Sequence, residues 1–532
     1  MYRILATIPA ATMNLKLKYA AVSLYLWLAL ITASSAATPP DNSKILHLLN
    51  RMSFGPTSGD IEKVRSTNTE NYIQQQLSPE TIPEPQNLTD RINSLETLQK
   101  TPAELFAEYD RPNPKNGQKP TPEALASARQ KARIIVQHAV QARLLRAAES
   151  PRQLQEVMVD FWYNHFNVYS NKGLTRLWVG AYEQEAIRPY TLGKFRDLLG
   201  ATARHPAMLY YLDNWQNTDP KSSGAKGRFQ GLNENYAREL MELHTLGVNG
   251  GYTQQDVIAL ARIFTGWGFP PRPTQNDGYR FYFDAKRHDF SDKVFLGKTI
   301  KGLGENEGEQ ALDILAKSPA TAKHISYKLA EYFVANKPPQ VLVDKLSKRF
   351  LETDGDIREV LNILFHSPEF WDQKNYNAKF KTPYQYVISA VRLTGQKVEN
   401  FQPLYNYLQQ LGMTPYGCLT PDGYKNTQDA WLNPDAIARR LDFATALSID
   451  RLSLNSPPAN KNQSGWMLPL AITPSNQPLV TGEKKTGSAI DSSQLANTLG
   501  NQFSDRTKSA IDSSPTNLRA ALILGSPEFM HK

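Results

Sequence analysis

The sequence predicts a mainly α protein, a large multi-helix body carrying one small β-hairpin insertion. Three observations predict it. Apolar residues recur at helical spacing over most of the chain, and Ser-Pro pairs stand where one such stretch stops and the next begins. Only the region near 279–297 alternates in the manner of strands.

The chain opens on a leader. Lys16 and Lys18 precede an apolar run, Tyr19 to Ala33, that is short for a mature membrane span, and Ser34-Ser35-Ala36 offers a small-x-small cleavage site. Residues 1–36 are therefore expected to be a secretory signal peptide, with the start at Met1 or Met13 left open. The address is periplasmic or secreted. No Cys follows the cleavage site to carry a lipid anchor, and no later apolar run is long enough to span a bilayer, so no integral membrane segment is expected after signal removal.

Without Arg3, Lys16 and Lys18 the formal charge of +9 falls to +6, a mild excess that no Lys/Arg-rich run concentrates. Nucleic acid is not an expected partner. Cys418 is the only cysteine, which excludes intrachain disulfides and argues against thiolate metal clusters.

A helical core domain is expected over 37–450. Short helices at its entrance are broken by Gly55-Pro56 and Ser78-Pro79. After the Pro/Gly/Lys-rich stretch 111–121, a long helix runs from about Pro122 to Ala148. Ser150-Pro151 should start the next helix, with Ser as N-cap and Pro in the first turn. The same device recurs at Ser318-Pro319, Ser367-Pro368 and Ser526-Pro527. Tyr279–Asp284 and Lys293–Leu296 should pair as the hairpin, with His288 and Asp289 in the loop between them. From 451 to 515 the composition turns to Ser, Asn, Pro, Gly and Lys, an extended or partly disordered segment. Residues 516–532 should form a C-terminal helix that packs back.

Polar groups crowd two places. In the helix beginning at Asn233, about 100° per residue puts Asn235, Glu239 and Glu242 on one face with Arg238 beside them and His244 opposite. Glu239, Glu242 and Arg238 are candidate acid–base or anion-binding groups, and Asn235 and Trp267 candidate substrate contacts. The competing account is a solvated stripe with Glu234–Arg238 and Arg238–Glu242 ion pairs. In the helix after Pro151, Glu156, Asp160, Tyr163, Asn164 and Asn167 share a face while His165 lies on the apolar side. Asn164 is a candidate substrate contact, and Asp160 and His165 candidate metal ligands, His165 being equally a satisfied core residue. His288 is a candidate base and Asp289 a candidate ligand. The Gly/Ser/Lys-rich loop 213–231 is placed as a flap over the cleft. Gly-x-Ser-x-Gly and His-Glu-x-x-His are absent.

Phe161-Trp162-Tyr163-Asn164-His165-Phe166, the run NENYARELMELHTLGVNGGYTQQDV and Ala261-Arg262-Ile263-Phe264-Thr265-Gly266-Trp267 resemble the large bacterial family labelled domain of unknown function 1800. Arg51-Met52-Ser53-Phe54-Gly55-Pro56-Thr57, His288-Asp289…Leu296-Gly297, Thr353-Asp354-Gly355-Asp356-Ile357-Arg358 and Ser526-Pro527-Glu528-Phe529 fit as well. One departure is Tyr163, where many relatives carry His, which weighs against a metal at this helix. The resemblance implies export, a mostly helical body and a co-exported sulfatase-like partner protein. It implies no known reaction. Two readings stay open: a hydrolase or lyase acting on a cell-envelope or extracellular polymer, with one divalent metal ion as an option, and a non-catalytic binding or assembly partner.

Overall fold

A computed structural model describes residues 42–109, 120–270, 280–456 and 490–532. Residues 1–41 and 457–489 lie outside the described residues, as does Tyr279. From Asn42 onward the chain holds together as one body around a continuous apolar core.

Helices begin where the sequence supplies a cap. Thr121 accepts the Ala124 amide at 3.2 Å, and Pro122 occupies the first turn of the 28-residue helix Pro122–Glu149. Ser318, Ser367 and Ser526 each accept an amide two or three residues on, at 3.1–3.2 Å, and Pro follows each. Ser150-Pro151 departs from that pattern. Ser150 closes the preceding helix, accepts the Arg152 amide at 3.0 Å and donates to Glu84 at 2.8 Å, so the next helix is Gln153–His165.

Pro122–Glu149 packs against Thr175–Tyr182 and Pro383–Thr394, while Pro319–Phe333 packs against Gln340–Glu352. Thr516–Leu524 lies on Pro434–Ser448. Within the 451–515 stretch, Ser492–Thr498 and Asp505–Ser513 are helical, where composition predicted an extended segment. Asp491 and Ser504 cap them, and burial of Leu495, Leu499 and Phe503 anchors them. A few well-placed apolar residues outweigh a polar average.

Among the described residues the β structure is two separate pairs rather than one hairpin. Trp267–Gly268 pairs antiparallel with Tyr282–Phe283, and Lys293–Phe295 with Lys298–Ile300. Leu296 (φ 48°) and Gly297 (φ 74°) make the two-residue turn of the second pair, the left-handed geometry that tight hairpins demand. The Asp256 carboxylate holds Leu296 there by accepting its amide at 2.8 Å. Trp267 is fully buried, and a Cβ on Gly308 would stand 2.0 Å from its ring, so only glycine lets that helix approach.

Candidate functional site

A cavity of about 530 Å³ opens between four elements. The Gln153–His165 helix contributes Asp160, Phe161, Asn164 and His165, and the end of the 235–244 helix contributes Glu242 and Leu243. From Pro319–Phe333 come His324, Tyr327, Lys328, Glu331 and Tyr332, one stripe at i, i+3/i+4 and i+7/i+8 spacing. Asp422, Tyr424 and Lys425 arrive on a loop.

The helix holding Glu242 is not regular. Asn235–Glu239 is α, and Leu240–His244 is a π-helical turn, a wider winding that shifts the phase of every later residue. Its terminal carbonyls are taken by side chains. Thr245 Oγ1 donates to Leu240 O at 2.7 Å, His324 Nε2 to Leu243 O at 3.2 Å and His165 Nε2 to His244 O at 3.1 Å. His165 and His324 thus cap a helix end, and their rings, with His244, gather at 6.0–6.2 Å from His165. Burial first, then the Lys328 charge, pushes His244 down to about 3 and His324 to about 4, and holds His165 well below the usual range. All three are neutral rings at neutral pH.

Behind Asp160 runs a buried charge network. Arg143 donates to Asp160 at 2.7 Å and to Glu183 at 3.2 Å, and Arg188 to Glu156 at 2.6 Å and Glu183 at 3.1 Å. Glu183 also accepts from Tyr416 at 2.8 Å, and it begins a second π-helical turn, Glu183–Ile187. Burial raises the Asp160 carboxyl above its usual range although Arg143 opposes it.

The sequence-predicted residues divide between places. Asp160, Asn164, His165 and Glu242 meet at the cavity. Asn164 matches its whole amide to one residue, donating to Tyr424 O at 2.8 Å and accepting Tyr424 N at 2.7 Å, so it fastens the loop more than it offers groups to a ligand. Glu239 is half-buried and near Glu242 and Asp422, and burial followed by those two charges raises its carboxyl. Arg238 makes both expected ion pairs, at 3.3 Å to Glu234 and 3.4 Å to Glu242. Asn235 is exposed and tied to Leu212 O at 3.2 Å.

His288, Asp289 and Trp267 are elsewhere, which corrects the expectation of one cleft. His288 Nε2 meets Glu307 at 2.8 Å and Nδ1 donates to Thr265 O at 2.8 Å. Glu307 also takes Lys293 at 2.6 Å and the Gly304 amide at 2.9 Å. That triad is a sealed joint, with its three side chains at 0 % exposure. Asp289 pairs with Arg262 at 2.7 Å; burial opposes its charge, yet Ser291 and Arg262 hold its carboxyl at about 2. Asp160, His165 and Asp289 therefore cannot share a metal ion. Among the described residues no group of three or more His, Cys, Asp or Glu side chains is arranged to hold one. Trp267 touches Phe264, Phe281 and Gly308 inside the core and cannot meet a ligand. The expected flap, 213–231, is pinned away from the cavity: Asn217 donates to Ala261 O at 2.7 Å, and the Asp219 and Gly224 amides donate to Arg287 O and Lys286 O.

What the sequence reading missed is the Pro319–Phe333 helix. Lys328 and Glu331 line the cavity, and neither makes a hydrogen bond or an ion pair with a described residue. Burial lowers the Lys328 ammonium and raises the Glu331 carboxyl, moving both toward neutral forms. The signal was present in HISYKLAEY: His324, Lys328 and Glu331 form a polar line along one face of the helix. Such a pair puts an amine and a carboxyl, groups suited to acid–base chemistry, on one cavity wall.

The model of the family described as "Protein of unknown function (DUF1800)" matches residues 47–531. The chain belongs to the DUF1800 family. No curated protein and no solved structure matches it. Every residue lining the cavity falls within the DUF1800 match.

Proposed function

We propose that the chain is an exported enzyme, a hydrolase or lyase, that cleaves a cell-envelope or extracellular polymer by acid–base chemistry in the 530 Å³ cavity. The carrying observation is Lys328 and Glu331, one helical turn apart on the cavity wall and free of protein partners among the described residues. Two polar groups facing a cavity without partners among the described residues, each pushed by burial toward its neutral form, are poised for a ligand. Lys328 is the base, Glu331 the acid, and Glu242 and His324 orient the bound segment. The leader-like residues 1–36 support export.

The test is turnover of a panel of envelope polysaccharides and peptidoglycan. New reducing ends mark a hydrolase, and a new double bond conjugated to a carboxylate marks a lyase. Lys328→Met and Glu331→Gln should each lose about 10²-fold or more in turnover while the unfolding midpoint stays put. Active variants, or variants that merely unfold, would end this reading.

The binding reading keeps one observation of its own. Phe290, Val294 and Leu303, on and beside the Lys293–Ile300 hairpin, are 54 %, 64 % and 65 % exposed. Exposed apolar groups on an insertion suit a protein partner, for which the family resemblance suggests the co-exported sulfatase-like protein. Co-purification of that partner, lost in Phe290→Ser, is the expected result; retention in the variant would dismiss this surface.

A further inference from the structure

Among the described residues, Tyr327 is the aromatic side chain of the large cavity that the protein itself leaves uncovered. Phe161 packs against Tyr332 at 5.3 Å, and Lys532 Nζ lies over the Tyr332 ring at 4.6 Å. Tyr424 stands beside Trp431 at 6.0 Å and donates its hydroxyl to Thr414 O at 3.0 Å. Tyr327 is 39 % exposed and has no ring, cation or hydrogen-bond partner among the described residues. It sits one turn before Glu331 and beside Lys328 on the same helix. Val248, 66 % exposed, brings a second bare apolar group to the cavity from the loop after the π-helical turn. Gly247 lets that loop lie against the Tyr327 helix: its φ is 84°, and a Cβ there would stand 2.8 Å from His324 Nδ1.

A flat ring flanked by an amine and a carboxyl matches a sugar, which has an apolar C–H face and a rim of hydroxyls that donate and accept. An extended peptide would need free main-chain groups to pair with. Here Leu243 O is taken by His324, and the Tyr424 amide and carbonyl are taken by Asn164. Charge narrows the sugar further. Four carboxyl side chains line the cavity, Asp160, Glu242, Glu331 and Asp422, against the ammonium groups of Lys328 and Lys425. Arg143 meets Asp160 at 2.7 Å, Arg238 meets Glu242 at 3.4 Å, and Lys425 meets Asp422 at 2.7 Å. Among the described residues of the wall, Lys328 is the cation left without a carboxylate partner, and its role as base requires the uncharged amine. A uronate or phosphate on the substrate would face these carboxylates with no free cation to receive it.

We propose that the cavity takes an uncharged glycan, one sugar ring of which stacks on Tyr327 and packs against Val248. This narrows the polymer of the preceding reading, on which it rests, to a neutral polysaccharide. The volume of about 530 Å³ suits a short oligosaccharide segment of such a chain.

The experiment titrates the whole chain by calorimetry and assays the same mixtures for new reducing ends. The probes are tetrasaccharides of glucose, xylose and N-acetylglucosamine, with tetragalacturonate and tetra-alanine for comparison. A neutral tetrasaccharide should bind, about 10-fold more weakly in Tyr327→Ala and within about twofold of wild type in Tyr327→Phe. Failure of all the neutral tetrasaccharides to bind, tighter binding of the galacturonate or the peptide, or unchanged affinity in Tyr327→Ala overturns the proposal. Should Tyr327→Ala fail to fold, Val248→Asp decides, and unchanged affinity there overturns it. Tyr327-dependent binding of a neutral tetrasaccharide without new reducing ends upholds this site and ends the enzyme reading. Cleavage of the galacturonate alone does the reverse.

Discussion

Glu307→Ala is expected to destabilise the protein by about 3–5 kcal/mol, read as a lower urea midpoint at unchanged slope. The reason is Lys293. Its ammonium is at 0 % exposure and meets Glu307 at 2.6 Å, with the Asp289 side chain no nearer than 4.0 Å. Removing the carboxylate leaves that charge buried with little compensation. It also strips His288 of its Nε2 partner and the Gly304 amide of its acceptor at the start of the Glu305–Ala316 helix. Replacing both charges with apolar groups, Glu307→Leu with Lys293→Met, should recover much of the loss, because the penalty is for an unpaired charge rather than for a missing bond. Activity should fall only as far as the folded fraction falls. A Glu307→Ala protein of wild-type stability with its activity gone would instead return His288 and its partners to catalysis.

The same triad shows what the sequence could carry and what it could not. Helices and their joints were legible because caps are local: Thr121-Pro122, Ser318-Pro319, Ser367-Pro368 and Ser526-Pro527 each fix a helix start within a few residues. Ser150 was misread because the same residue can close one helix and brace the corner without opening the next. The π-helical turn at Leu240–His244 was invisible, since a regular period was assumed and the donors to its terminal carbonyls come from His165 and His324, some 80 residues away. His288 looked like chemistry because titratable pairs serve joints and sites alike. Only burial and partners separate the two, and both depend on Glu307, which local spacing does not connect to His288. Lys328 and Glu331 were passed over for the opposite reason. Their helix reads as an ordinary amphipathic one until the Asp422 loop closes over it and turns an exposed face into a cavity wall.

Arg143→Met should cost about 3–5 kcal/mol near neutral pH, and this deficit should shrink on acidification. Arg143 spans Asp160 and Glu183 and lies 5.0–5.4 Å from the rings of Tyr163, Tyr384 and Tyr416. Methionine keeps much of the packing but leaves two buried carboxylates facing each other across the gap. Glu183 retains Arg188 and the Tyr416 hydroxyl, so Asp160 carries most of the damage. In the wild type, burial already holds Asp160 above its ordinary value, with Arg143 opposing. Without Arg143 it rises further. A carboxyl with a raised folded value takes up its proton in the folded state first, so the variant gains stability as pH falls from neutral through that value toward the ordinary carboxylate range. Glu183 behaves with the opposite sign in the wild type. Burial opposes its charge, but Arg143 and Arg188 outweigh that and lower it, so its contribution is lost as pH falls through its folded value. The gap between wild type and variant is therefore wider at about pH 7 than at about pH 5. Urea midpoints at the two pH values measure it directly. A gap that stays constant or widens in acid would mean that the loss is one of packing around the three tyrosines, with Asp160 protonated throughout and Arg143 serving mainly to fill space.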